Sequence, residues 1–203
     1  MEAEGLLFCP LNTKAYRLGF TLKQLVSAGD WSLGSIARPA LEELSSALNE
    51  TVALAVFNKD HVVYVDVVLG TQTLQAVVPI GTPMPLHSLA SGKAVLALLD
   101  KQTLARIRST SKLQRFTANT ITNWDRLTKE IEDIRRSGYA SDFGENNAEI
   151  GALAVAFRHA SGELLAISIA GPIERIQKRR KELMAKLNAT RTRLQGPFAA
   201  SEK

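Results

Sequence analysis

Three prolines within seven residues, Pro79, Pro83 and Pro85, constrain this 203-residue chain more than any other local feature. Each fixes its φ at about −65° and lacks an amide donor, so residues 79–85 are barred from helix and from any central strand. Ala90, Ser91 and Gly92 follow and open a segment whose apolar residues are Ala94, Val95, Leu96 and Leu98. The first N–H groups of a helix have no intrahelical acceptor and suit an anion, and small side chains leave room for it. The segment reads as the edge of a pocket for a small acid. A phosphate-binding loop is excluded at Gly92-Lys93, because the positions that need glycine and Ser or Thr hold His87 and Ala94.

The chain is long enough for one or two domains with a buried core, and its 45% apolar and 22% charged residues are ordinary for a globular protein. No apolar run reaches the roughly 20 residues of a membrane span, and no signal peptide precedes the first charges. A single cysteine, Cys9, forbids an internal disulfide and fits a reducing cytoplasm. The net charge of +5 is uneven: nine Lys and Arg against three Asp and Glu fall in residues 172–203. Their densest run, Lys178-Arg179-Arg180-Lys181, shares a predicted helix with Ile173, Ile176, Leu183, Leu187 and Leu194 on the other face. Such a stripe suits either a solvated helix face or a DNA backbone. His61, His87 and His159 lie far apart and none adjoins Cys9, and no HExxH or CxxC spacing occurs. No catalytic set, metal site or cofactor is therefore expected.

Residues 1–18 read as two short strands around Pro10-Leu11-Asn12-Thr13, followed by a helix over 20–28 and a second over 31–48 with Pro39 inside it. Strands are predicted over 51–57 and 61–68, joined at Asn58-Lys59-Asp60, and over 73–78. Helices are predicted over 88–99 and 101–108, and a third starts at a capping box, Thr122-Asn123-Trp124-Asp125, and ends at Gly138. Strands over 139–142, 152–158 and 164–170 precede the basic terminal helix. This order points to an α+β fold with a central antiparallel sheet.

Four blocks carry a resemblance: Tyr16-Arg17-Leu18-Gly19; Leu86-His87 through Gly92-Lys93-Ala94; Phe116-Thr117, Thr120-Ile121 and Gly138-Tyr139; and Leu153-Ala154 through Ser168-Ile169-Ala170-Gly171-Pro172 with Arg175. In this order the chain resembles the IclR family of bacterial transcriptional regulators, specifically its effector-binding domain. The resemblance implies a GAF-like sheet flanked by helices over 49–203, linker helices over 20–48, and over 1–19 only the end of a winged helix-turn-helix, the wing remnant. Lys14 and Arg17 on that remnant would touch DNA phosphates. The intact regulator would bind operator DNA as a homodimer or homotetramer, with Trp31, Leu33 and Ile36 offering apolar surface for association. The 203 residues alone are expected to read DNA weakly or not at all. A stand-alone GAF-like small-molecule module that does not act on DNA is the alternative.

The same resemblance places a small organic (carboxylic) acid effector against Thr73 and Ala76 on the wall, Ala90 and Ser91 at the helix start, Asp142, Ala152, Ser168 and Ala170. Ala152 and Ala170 stand where relatives carry polar side chains, which points to a larger or aromatic acid rather than glyoxylate or pyruvate. Glu149 stands where the family has glycine, so its backbone must avoid the left-handed region. Asp142 also suits the capping of turn amides, Ser168 a bond within the sheet, and His87 a structural hydrogen bond. Lys93 is expected in solvent or paired with a carboxylate, not on the ligand.

Overall fold

The computed structural model describes residues 7–8, 17–18, 33–160 and 162–195. The chain forms two compact units, residues 1–36 and 37–203. In the first, β1 (Leu7–Phe8) pairs antiparallel with β2 (Arg17–Leu18), as the expected hairpin requires. The turn at 10–13, the helix over 20–28, Cys9, Lys14 and Trp31 lie outside the described residues.

The second unit is built on a six-stranded antiparallel sheet, in the order β5 (Pro83–Pro85), β4 (His61–Val68), β3 (Thr51–Asn58), β8 (Leu164–Pro172), β7 (Ile150–Arg158) and β6 (Ala140–Phe143). Two tight connections set its register. Lys59 adopts a left-handed φ of 58° between β3 and β4, and Gly162 one of 100° between β7 and β8. The proline segment enters as β5, an edge strand, where missing amide donors are tolerated.

Register sorts the side chains into two faces. One carries the cross-strand rows Val52–Ile169–Leu153, Leu54–Ile167–Val155 and Val56–Leu165–Phe157. The other carries Thr51–Ala170–Ala152–Asp142, Ala53–Ser168–Ala154–Ala140 and Ala55–Ala166–Ala156. Large branched residues thus fill one face and alanines pave the other, because successive side chains alternate across a strand. A bulge at Leu54/Ala55 shifts the register of β4, so Tyr64 faces the alanine side while Asp66 sits opposite Leu54.

The alanine face is covered by α2 (Ala90–Leu98), which packs against β7, β8 and β6, and by α4 (Trp124–Ser137), which packs on α2. α3 (Lys101–Thr110) lies between them in sequence, capped by Asp100. Leu127, Ile131 and Ile134 of α4 are buried, as their spacing predicts, and Gly138 closes the helix with a φ of 80°. The expected capping box is corrected: Asn123 alone caps α4, accepting the amides of Asp125 and Arg126, while Thr122 accepts from Arg115.

α5 (Ile173–Lys178) and α6 (Arg180–Gln195) pack on β7 and β8, with Ile176, Leu183, Leu187 and Leu194 buried. The helix expected to run through the basic cluster is broken at Arg179, and the break has a cause. Arg179 donates to the Leu48 carbonyl at 2.8 Å and, with Arg175, flanks the buried Glu50 carboxylate. α1 (Leu33–Leu48) contains Pro39, as expected, and is tied to β4 by Arg38, which donates to Asp66 at 2.8 Å.

The strand expected over 73–78 does not form. Pro83–Pro85 and the bridge at Ile80 pair with β4 over His61–Tyr64, and residues 71–79 add no strand beyond them. Side chains hold that loop instead: Asn49 accepts from Thr71, Arg175 donates to the Leu74 carbonyl at 2.9 Å, and Thr51 donates to the Ala76 carbonyl at 2.8 Å.

Candidate functional site

A cavity of about 140 Å³ lies between the alanine face, the start of α2 and the 71–79 loop. Tyr64, Ser168, Ala170, Ala152 and Asp142 line its sheet side, Leu89, Ala90 and Ser91 its helix side, and Ala76 to Pro79 with Met84 its loop side. Asn146, Asn147 and Ile150 complete it from the turn between β6 and β7. Seven residues expected from the sequence, Ala76, Ala90, Ser91, Asp142, Ala152, Ser168 and Ala170, are thereby brought together. Thr73 is exposed and outside the lining, because its segment is a loop rather than a strand.

The helix side follows from the proline segment. Lys93 N–H to Leu89 O is the first backbone bond of α2, and no side chain caps Leu89. The amides of Ala90, Ser91 and Gly92 have no acceptor among the described residues. Gly92 is required by contact rather than by torsion: a Cβ there would lie 2.4 Å from the Leu86 carbonyl oxygen. The small-residue run therefore lets the turn after β5 press against the helix start.

Two serines carry hydroxyls at the cavity. Ser91 Oγ lies 2.8 Å from the Tyr64 hydroxyl, and Ser168 lines the same cavity. Burial raises the Tyr64 pKa, so the phenol stays protonated and able to donate. Tyr64 was not legible as a site residue; its only sequence signal is a phenol in an otherwise aliphatic stretch, Val62 to Val65.

Asp142 is buried, and its Oδ1 accepts the Glu145 amide at 2.7 Å, which joins the turn-capping reading to the pocket reading. Burial pushes its carboxyl up to about 6, against the pull of that amide and of Lys93. Lys93 takes the second of its two expected places, paired with carboxylates. It is fully buried, not in solvent, and its Nζ lies 2.5 Å from both Glu130 of α4 and Glu145. Burial pushes Glu145 up to about 7 although Lys93 opposes it. His87 has the structural role expected, with Nε2 at 2.9 Å from the Gln114 carbonyl, and burial lowers its pKa. Glu149 is absent from the residues with positive φ, so the replacement of glycine there is unstrained.

Residues 27–195 match the family model described as bacterial transcriptional regulator IclR C-terminal. The chain belongs to the IclR family. The HTH-type transcriptional regulator Rv1719 of Mycobacterium tuberculosis is similar at 35% identity over 202 residues, covering all of this chain and 78% of that protein. The HTH-type transcriptional regulator BhcR of Paracoccus denitrificans is 31% identical, covering 91% of this chain and 67% of that one. Among solved structures, the IclR of Thermotoga maritima matches with a TM-score of 0.74 at 29% identity, over 96% of this chain and 82% of that one. The curled sheet with its flanking helices is thus the effector-binding domain of an IclR-type transcriptional regulator, and the relatives are regulators rather than enzymes. Among the described residues no helix is long and apolar enough to cross a membrane.

Proposed function

We propose that the cavity beneath α2 binds a small carboxylic acid, and that its occupancy alters operator binding by the intact regulator. The observation that carries this reading is the set of acceptor-free amides at Ala90, Ser91 and Gly92 beside Ser168. A helix start of this kind stabilises an anion through its N–H groups and its dipole. The methyls of Ala76, Ala152 and Ala170 supply an apolar wall, which favours an acid with a hydrocarbon body over glyoxylate or pyruvate. The proposed organisation is a wing remnant over 1–19, linker helices over 20–48 and the effector domain over 49–203. Arg17 and Lys14 would contact DNA phosphate.

A thermal-shift screen of small carboxylic acids tests the reading. An acid at 100 times its Kd is expected to stabilise the chain by about 2.7 kcal/mol. Ser168→Ala should then weaken that acid by about 0.5–1.5 kcal/mol if the hydroxyl makes a neutral bond, or about 1.5–3 if it meets the charged carboxylate. No stabilising acid in the screen, or unchanged calorimetric binding by the variant, contradicts the proposed site.

Self-association is proposed through the start of α1, where Ile36 is exposed and Leu33 half-buried. Closed homodimers are the commonest symmetric assembly and pair well with such surface. A homodimer or homotetramer is expected by sedimentation at micromolar concentration, and a monomer would refute it.

A further inference from the structure

We propose that Tyr64 is the specificity-determining residue of the pocket, donating its phenolic proton to a carboxylate borne on a single ring of about benzene size. The inference rests on the small-acid reading above and goes beyond it by naming the selecting side chain and the body of the acid. Tyr64 lies on β4, next to the row Ala55–Ala166–Ala156, and reaches across the alanine face towards the helix start. Its hydroxyl lies 2.8 Å from that of Ser91 on α2, and Ser168 of β8 lines the same cavity.

Proton counting makes this cluster a donor. The Tyr64 and Ser91 hydroxyls carry two protons, and the contact between them uses one. No other protein acceptor is bonded to either hydroxyl among the described residues. The remaining proton therefore faces the cavity, where an oxyanion is its natural partner. A phenol is more acidic than an alkyl hydroxyl, so the strongest donor results when Ser91 orients Tyr64 and the phenol gives the proton outward. Serine rotors can adjust to either oxygen of a carboxylate, whereas the tyrosine ring is fixed by burial.

Volume supplies the second half. A cavity of about 150 Å³ walled by apolar side chains holds benzene. The pocket here measures about 140 Å³, and Ala76, Ala152, Ala170, Met84, Leu89 and Ile150 give it the apolar wall a ring needs. Branched or bulkier residues at the alanine positions would leave no space for one.

The probes are benzoate and benzamide, which share a ring and differ in charge. By calorimetry the parent chain should bind benzoate, and Tyr64→Phe should weaken it by roughly tenfold or more while changing benzamide little. The chain has three tyrosines, Tyr16, Tyr64 and Tyr139, so uniform 3-fluorotyrosine labelling gives few fluorine resonances, and the one missing in Tyr64→Phe belongs to residue 64. Benzoate should shift that resonance in the parent, a reading that does not depend on how well the variant folds. Equal benzoate affinity in Tyr64→Phe, equal loss of both probes, or a silent Tyr64 resonance overturns the donor role and leaves the acid-sensor reading standing. Binding of acyclic acids without benzoate overturns the ring. A parent that binds no acid overturns both readings together.

Discussion

Replacing Lys93 with alanine should cost about 3–5 kcal/mol of stability, the range for removing one partner of a buried ion pair. Lys93 is 0% exposed and holds two carboxylates from different parts of the chain, Glu130 on α4 and Glu145 after β6. Without the ammonium, Glu145 and the nearby Asp142 face each other as buried anions, and a long side chain's volume is left empty. Lys93→Met separates the two contributions, since it restores most of the volume and none of the charge. Urea denaturation at pH 7 is the measurement. Methionine should recover only a minor part of the loss, and both variants should regain ground as pH falls and the carboxylates protonate. A cost below about 1 kcal/mol for Lys93→Ala would show that the charge cluster is tolerated without its cation.

The second large effect is stability that increases as pH falls from 8 towards 5. Burial holds Asp142 at about 6 and Glu145 at about 7, both above their ordinary values. Between the ordinary and the raised pKa, the folded state binds protons that the unfolded chain does not. The stabilisation is therefore complete below the ordinary carboxylate pKa and is lost as pH rises through 6 and 7. A displacement from an ordinary value to about 6 corresponds to about 3 kcal/mol, so even half of it moves a melting temperature by several degrees. Asp142→Asn should flatten the lower part of the profile and be more stable than the parent at pH 8. An acid entering beside Asp142 should also bind more tightly at pH 6 than at pH 8, because the neutral carboxyl does not repel it. Melting temperatures that are constant or rise between pH 5 and 8 would refute the buried-carboxylate account.

What the sequence made legible follows the reach of each signal. The hairpin at Asn58-Lys59-Asp60 and α4 with its terminal Gly138 rest on contacts within a few residues and were read correctly, as was the exclusion of Pro83–Pro85 from helix and central strand; its pairing as an edge strand was not read. Residues 73–78 have β-forming side chains, yet the side chains that hold them as a loop, Thr51 and Arg175, come from elsewhere in the chain. Lys93 sits among small residues, and its burial is decided by glutamates 37 and 52 positions away. Neither glutamate is marked as its partner by local pattern. Tyr64 was missed for the same reason, since its partner Ser91 meets it only through the fold. Family resemblance located seven lining residues because it carries tertiary information that periodicity lacks. One local signal remained unread: alanine alternates with branched residues through 52–56, 152–157 and 165–170, which marks a sheet with one crowded face and one open face.

That alternation bears on how such a sensor can change over generations. The rows Val52–Ile169–Leu153 and Leu54–Ile167–Val155 lie on the face away from the cavity, while Ala152 and Ala170 line the cavity from the reverse side of the same sheet. An alanine codon is one base change from valine, serine or threonine. Each such change redraws the cavity by one or two atoms and leaves the load on the other face untouched. A lineage built on this sheet can therefore drift from one effector to another in single mutational steps, with its architecture inherited intact.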